Sequence, residues 1–183
     1  MQITLLNGNP VASDPPLETY LADLVQAFAG LGHSVQRIDL RDLDIRYCVG
    51  CFGCWVKTPG ECVTADDSHQ VCRAAIQADW LLFASPVSMG FISAELKRML
   101  DKLIPLVHPY MVIDRGEIHH RKRYSHYPLL GLLVARSADT DEEDLEIIET
   151  SFKRLAINFK SRLGFFLTTD NPVQEVLHAV DSI

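Results

Sequence analysis

Five short apolar runs alternate with stretches of helical periodicity along this chain, and this alternation constrains its fold more than any other feature. Residues 80–84 and 129–135 are continuously apolar, as expected of strands that helices cover on both faces. Residues 34–40 alternate between polar and apolar side chains, which is typical of an outer strand. The other two strands are predicted at 3–7 and 163–168. The pattern predicts an α/β fold in which a five-stranded parallel sheet lies between two layers of helices.

Helices are predicted where apolar side chains recur every three or four residues and so share one face. Cys72 falls on such a face and is predicted to lie in the core. The fourth helix is predicted to begin at a capping box, in which the side chains of Thr140 and Glu143 bond each other's backbone N–H groups. The predicted helices span residues 17–28, 66–78, 92–103, 141–160 and 173–180.

The length and charge of the chain limit its organisation and its partners. Its 183 residues fit one domain spanning 1–183, with long insertions at 41–65 and 105–127. An excess of 24 acidic over 17 basic side chains gives a net charge of −7, which argues against nucleic acid as a partner. Since the apolar runs are shorter than the roughly 20 residues of a membrane span, we expect no membrane contact and no leader. We therefore expect a cytoplasmic protein with reduced thiols.

Four of the five cysteines lie close together, at Cys48, Cys51, Cys54 and Cys62. Two consecutive two-residue gaps allow three sulfurs to point inward around one cube, and Cys62 can supply the fourth ligand of a [4Fe–4S] cluster. Zinc is disfavoured, because structural zinc sites use two separated cysteine pairs. The third interpretation is a loop in which the cysteines act as small apolar side chains that pack with Phe52 and Trp55.

The loops at the carboxyl ends of the strands form the expected binding region, because ligands bind such sheets where the strand order reverses. The loops after Asn7, Ala84 and Ala135 should therefore face one crevice. In the second loop, Pro86 fixes the backbone and Gly90 allows close approach to a flat ligand, leaving amides free for ring acceptors. The alternative is that these two residues only punctuate a strand-to-helix turn.

The segment 85–97 resembles part of a known protein family. It reads Ser85-Pro86-Val87-Ser88-Met89-Gly90-Phe91 and then Ile92-Ser93-Ala94-Glu95-Leu96-Lys97. It is similar to the loop and helix of NAD(P)H-dependent flavin reductases with a flavodoxin-like fold. The run 55–62, followed by Asp66 and Asp67, resembles one branch of that family, and the cysteine spacing resembles that of iron–sulfur flavoproteins. The resemblance covers nearly the whole chain and implies a flavodoxin-like three-layer sandwich.

The same resemblance implies a bound FMN, NAD(P)H as co-substrate, and a homodimer in which a second subunit reaches the flavin edge. Because the flavin supplies the hydride chemistry, no catalytic side chain is predicted. Met89 and Phe91 are expected to flank the ring. The implied cofactor contacts are Asn9, Pro10, Ser13, Pro86, Val87, Ser88, Met89, Gly90, Phe91 and Arg136.

The loop after the first strand departs from the family pattern. The family holds the FMN phosphate there with several Ser or Thr hydroxyls and a helix N-terminus, whereas residues 7–16 offer only Ser13. Asp14, which precedes Pro15, is predicted to cap the first helix, and its charge would repel a phosphate. The third loop, 136–139, also lacks the glycines typical of the family. The sequence leaves open whether FMN binds weakly, binds in another pose or is absent.

The insertion at 105–127 carries a basic segment, for which a solvated arm is the favoured interpretation. Adjacent His119 and His120 would point apart on a regular element, which argues against a shared metal. The alternative is an arm that lies over the crevice or reaches a partner subunit. There Arg121 and Arg123 would meet an acidic surface or the phosphate of a nicotinamide nucleotide.

Three functions are consistent with these patterns. The favoured one is an FMN-dependent NAD(P)H oxidoreductase that passes electrons to an unknown acceptor. The second is an iron–sulfur flavoprotein that carries electrons through a [4Fe–4S] cluster on the cysteine loop. The third is a non-catalytic protein of flavodoxin-like fold that has lost flavin binding, which the altered phosphate loop would fit.

Overall fold

The structure is a computed structural model that describes residues 1–13 and 15–182. Its strands are β1 (Gln2–Asn7), β2 (Ser34–Asp39), β3 (Trp80–Ser88), β4 (Phe91–Ile92), β5 (Val107–Asp114), β6 (Glu117–Lys122), β7 (Leu129–Ala135) and β8 (Leu163–Thr168). Its helices are α1 (Pro15–Gly30), α2 (Gly53–Val56), α3 (Ser68–Gln77), α4 (Ala94–Asp101), α5 (Glu142–Asn158) and α6 (Val173–Asp181). Within these described residues, no helix has both the length and the apolar character needed to span a membrane.

The central sheet has the strand order β2-β1-β3-β7-β8, with each neighbouring pair parallel. The register places Leu82 of β3 between Leu5 of β1 and Gly131 of β7. The predicted five-stranded parallel sheet is confirmed. The prediction that the alternating segment 34–40 forms an outer strand is also confirmed, since β2 lies at one edge.

Two apolar cores lie on opposite faces of the sheet, because successive side chains of a strand point in opposite directions. Leu81 and Phe83 of β3 face the core that includes α3, α4 and α5. Trp80, Leu82 and Ala84 face the core that includes α1 and α6. All five side chains are buried, which explains why the sequence of this strand is continuously apolar.

The start of α5 differs by one residue from the predicted capping box. Asp141 accepts a hydrogen bond from the N–H of Asp144, whose carboxylate accepts one from the N–H of Asp141. The hydroxyl oxygen of Thr140 instead accepts from the N–H of Ser137. The prediction of a box between Thr140 and Glu143 is wrong, because two carboxylates one residue later satisfy the helix amides. They also place negative charge at the positive end of the helix.

Both insertions contain regular structure, α2 in the first and an antiparallel hairpin of β5 and β6 in the second. The hairpin turns at Arg115 and Gly116, which have φ values of 53° and 80°. Arg123 donates to the carbonyl oxygen of Pro105 at 2.9 Å. Strand pairing and this contact therefore order the basic segment, for which the sequence predicted no strands. The hairpin exposes the apolar side chains Tyr110, Met111, Ile113 and Ile118.

Gly131→Ala should destabilise the sheet, because an added Cβ would lie 2.4 Å from the ring of Phe165 and 2.7 Å from Leu82. Overpacking of this kind costs about 1–3 kcal/mol. Gly30→Ala is the control, since a Cβ at the end of α1 would meet no described atom within 4 Å. That change should leave the free energy of unfolding at its wild-type value or raise it by up to about 1 kcal/mol. Urea denaturation measures both, and equal effects would contradict the packing argument.

Candidate functional site

The predicted loop 85–91 is a continuation of β3 that folds back on itself. β3 pairs with β7 as far as Pro86, and its last residues then pair with β4 in an antiparallel β3–β4 hairpin. Met89 and Gly90 form the two-residue turn, with φ values of 51° and 76°. Because the hairpin occupies the first residues of the predicted third helix, α4 begins only at Ala94.

The turn of the β3–β4 hairpin projects from the carboxyl edge of the sheet. The side chain of Met89 is 97% exposed, Ser88 is exposed and Phe91 is half-buried. Gly90 lies against α5, where an added Cβ would be 2.6 Å from Oδ1 of Asp144. Since Asp144 also closes the capping box of α5, the absence of a side chain at Gly90 sets how closely the hairpin approaches that helix.

The loop after β1 meets the β3–β4 hairpin where the strand order reverses. The chain runs from β1 outward to β2 and from β3 outward to β7, so the crevice lies between the carboxyl ends of β1 and β3. The N–H of Gly8 donates to the carbonyl of Ala84 at 2.8 Å, and the hydroxyl of Ser93 donates to the carbonyl of Gly8. The N–H of Ser93 donates to Oγ of Ser85 at 2.8 Å. The predicted meeting of the first two loops is confirmed.

The polar side chains of the loop after β1 turn inward onto Glu18 of α1. The amide nitrogens of Asn7 and Asn9 donate to Oε1 of Glu18 at 2.9 and 2.8 Å. Arg41 donates to the same oxygen at 2.9 Å, and Arg37 donates to the other oxygen. Burial alone would raise the pKa of Glu18, but the hydrogen bonds from Asn7, Arg37 and Asn9 outweigh it and lower the pKa to about 2. Asn9, a predicted ligand contact, is thus buried and bonded to the protein itself.

The remaining predicted contacts lie on the loops after β1 and β7. Pro10 and Ser13 are exposed on the first of these loops. Arg136 follows β7 and donates to Oε1 of Glu142 at 2.8 Å, so its guanidinium is bound to the first turn of α5. The predicted helix cap at Asp14 lies outside the described residues.

A cavity of about 530 Å³ lies beside the β3–β4 hairpin, and all four clustered cysteines line it. Its other walls come from α4, α5 and the start of β5, together with Phe91 of the hairpin. The segment 48–62 therefore places all four of its cysteines on the wall of one cavity. Apolar and aromatic side chains on its walls include Tyr47, Trp55, Leu100, Phe152 and Phe159.

The four thiols of this cavity differ in exposure. Cys48 and Cys51 are exposed, Cys62 is half-buried and Cys54 is buried. Burial raises the pKa of Cys54, and the three neighbouring thiols raise it further. The packing interpretation fits Cys54 but not the exposed pair, whereas Cys72 is in the core as predicted. In the part of the chain that the structure describes, no three His, Cys, Asp or Glu side chains lie close enough together to hold a metal ion.

A buried ion pair that sequence reasoning missed joins the cysteine segment to the end of α4. Nζ of Lys102 lies 2.9 Å from Oδ2 of Asp66 and 3.3 Å from Sγ of Cys62. Both charged side chains are almost fully buried, at 2% and 0% exposure. Burial alone would raise the pKa of Asp66, but hydrogen bonds from Ser68 and Lys102 lower it to about 2. The sequence signal for this pair was a lysine at the end of an amphipathic helix, but no neighbouring residue in the sequence identified Asp66 as its partner.

Comparison with known proteins gives a family match over most of the chain. Residues 1–140 match the family described as NADPH-dependent FMN reductase. An iron–sulfur flavoprotein of Archaeoglobus fulgidus is 34% identical over 77 residues, which cover 42% of this chain and 34% of that protein. An iron–sulfur flavoprotein of Methanocaldococcus jannaschii is 29% identical over 106 residues, covering 58% and 53% respectively. The chain thus spans about a third to a half of the length of these relatives.

Two solved structures are similar to this chain over nearly their whole length. The NAD(P)H:quinone oxidoreductase from Methanothermobacter marburgensis has a TM-score of 0.65 and 16% identity, covering 100% of this chain and 96% of that chain. An azoreductase from Bacillus anthracis has a TM-score of 0.66 and 14% identity, covering 99% and 92%. The predicted flavodoxin-like fold is confirmed.

Lys102→Met should destabilise the protein strongly, because it leaves Asp66 buried without its partner. Breaking a buried pair in this way costs about 3–5 kcal/mol. Lys97→Met is the matched control, since its ion pair with Asp101 is half exposed, and such pairs contribute about 0–1 kcal/mol. Denaturant unfolding measures both variants. A small, equal loss in the two would show that the buried pair contributes no more than a surface pair.

Proposed function

The chain belongs to the NADPH-dependent FMN reductase family, and we propose that it is an FMN-dependent NAD(P)H oxidoreductase that passes electrons to a separate acceptor. The observation that carries this proposal is the β3–β4 hairpin at the reversal point of the sheet. In its turn, the exposed apolar side chain of Met89 is followed by Gly90, which has no Cβ. Both features suit contact with a flat ring.

The flavin, when bound, supplies the transfer of a hydride from the nicotinamide and of electrons to the acceptor. The residues of the chain bind and orient the ring and keep water from it. Gly90 lets the backbone approach the ring closely, and Met89 and Phe91 offer apolar surface on either side of that approach. The proposed ring contacts are Pro86, Val87, Ser88, Met89, Gly90 and Phe91.

Arg136 is the proposed contact at the other end of the crevice. Its partner, Glu142, is largely exposed, and an exposed ion pair contributes only about 0–1 kcal/mol. The guanidinium can therefore exchange this partner for a carbonyl oxygen of the ring at low cost. Its position after β7 supports such a contact, since the carboxyl ends of parallel strands share one edge of the sheet.

We also propose that the protein acts in the cytoplasm as a homodimer. All five cysteines are free thiols, which supports a reducing compartment. The exposed apolar side chains of the β5–β6 hairpin support association with a second copy, because contiguous apolar surface usually marks a contact. Among them, Ile113 and Ile118 are direct cross-strand neighbours with exposures of 81% and 70%.

Gly90→Ala should weaken flavin binding, whereas Gly116→Ala should not. Both glycines take the second turn position of a two-residue hairpin at φ values of 76° and 80°, so alanine strains both turns equally. At Gly90 a Cβ would also meet Asp144 at 2.6 Å, while at Gly116 it would meet no described atom within 4 Å. We expect the FMN dissociation constant to rise about tenfold or more, or about 1.4 kcal/mol, in the first variant alone. Quenching of flavin fluorescence measures it.

A wild-type protein whose thermal midpoint ignores excess FMN would contradict the proposed function, because specific binding must raise stability. That result would favour the non-catalytic alternative. Equal FMN affinities in the two glycine variants would instead exclude the β3–β4 hairpin as the ring site.

Four cysteines line one cavity, and this observation favours a second candidate, an iron–sulfur flavoprotein that carries electrons. Four thiols match the donor set of a [4Fe–4S] cluster, which would store one electron at a time. Lys102 beside Cys62 would compensate the negative charge of a thiolate ligand. Phe91 lines the cavity and belongs to the β3–β4 hairpin, so the proposed flavin and cluster sites would adjoin.

Cys51→Ser should remove the iron from anaerobically reconstituted protein, because three thiols cannot complete the ligand set. Cys72→Ala is the control, since Cys72 lies in the core outside the cavity, and it should retain the iron. Iron and sulfide assays with an absorption spectrum measure the outcome. Reconstituted wild-type protein that holds no iron would exclude the cluster and leave the flavin proposal intact.

A further inference from the structure

The N-terminus of α1 has lost donors that an anion would need. The first N–H groups of a helix have no partner within it and can bind a phosphate. In this chain the helix begins with Pro15 and Pro16, neither of which carries a backbone N–H. Two of the donors usually offered at such a site are therefore missing for a chemical reason that does not depend on side-chain placement.

The first part of the loop before that helix, residues 8–11, uses its own amides internally. The N–H of Gly8 donates to Ala84, and the N–H of Asn9 donates to Oδ1 of Asn7 at 3.0 Å. The N–H of Val11 donates to Oδ1 of Asn9 at 3.1 Å, and Pro10, between them, has no N–H. Each N–H of residues 8–11 is thus already bonded within the protein.

The cationic and amide side chains nearest this loop are committed to an internal anion. Glu18 receives hydrogen bonds from Asn7, Asn9, Arg37 and Arg41, and its low pKa keeps it charged. Arg37 and Arg41 also pair with Asp39, so a phosphate placed at the loop would find these donors already bound to carboxylates. Asp14 adds a second acidic residue to the same loop. The acidic charge of the loop and its shortage of free hydrogen-bond donors both oppose phosphate binding here.

The β3–β4 hairpin, in contrast, keeps the residues proposed to contact the ring. We propose that the chain recognises the isoalloxazine ring of its flavin and not the phosphate, so that it binds riboflavin and FMN with similar affinity. This inference rests on the proposed function and specifies its ligand. The phosphate adds no contact that stabilises the complex, so the flavin exchanges with solution as a substrate does.

The direct test is titration of the wild-type protein with FMN and with riboflavin, followed by flavin fluorescence. We expect the two dissociation constants to agree within about threefold, or about 0.7 kcal/mol. We also expect FMN affinity to change less than about twofold between about 0.1 and about 0.5 M KCl, because no charged contact is screened. FMN binding about 30-fold or more tighter than riboflavin, weakened by salt, would overturn the inference and leave the proposed function standing. Binding of neither flavin would overturn both.

A variant that restores hydrogen-bond donors at the start of α1 tests whether this loop is the cause of the missing phosphate recognition. Replacing residues 14–16 together, by Asp14→Ser, Pro15→Ser and Pro16→Ser, returns two N–H donors, adds hydroxyls and removes one negative charge. We expect FMN affinity to rise about tenfold or more while riboflavin affinity stays within about twofold. Pro172→Ser is the control, because it changes an exposed proline at the start of α6, which follows the edge strand β8, three strands away from β1. An equal gain for both flavins, or no gain for FMN in a folded variant, would overturn the assignment to this loop.

Discussion

The pairing of β3 with both β1 and β7 is the interaction on which the rest of the structure depends. It aligns the carboxyl ends of three strands, brings Gly8 within hydrogen-bond distance of Ala84, and carries β3 beyond the sheet into the β3–β4 hairpin. A register shift of one residue would move Leu81 and Phe83 into the opposite core. The crevice is therefore fixed by the same backbone pairing that separates the two cores.

The cysteine cavity and the crevice are neighbours because they share the β3–β4 hairpin. Phe91 lines the cavity, and it is also the first residue after the exposed turn of the hairpin. The pair between Asp66 and Lys102 holds the end of the cysteine segment against α4, and Lys102 also reaches Cys62. Because an unpartnered buried charge is costly, the position of Cys62 depends on keeping both members of this pair. One hairpin can thus serve both proposed redox sites.

Family membership and the altered loop after β1 are compatible, because the loop is only a small part of the matched residues. The match over residues 1–140 includes four of the five central strands, the β3–β4 hairpin and the cysteine segment. Phosphate recognition depends on a few amides and hydroxyls, and a few substitutions remove them. Here two prolines and the inward turn of Asn7 and Asn9 onto Glu18 account for the change.

The amino-acid sequence by itself determined the five central strands, most of the helices and the meeting of the loops after β1 and β3. Those features follow from local apolar periodicity and from the rule that parallel strands end at one edge. The capping box was misplaced by one residue because several polar side chains could satisfy the same amides. Only the tertiary structure decided the partners of Glu18, the pairing of Lys102 with Asp66 and the two hairpins. The buried pairs join residues that are far apart in sequence, 36 positions for Lys102 and Asp66, and no local pattern records which charge will meet which.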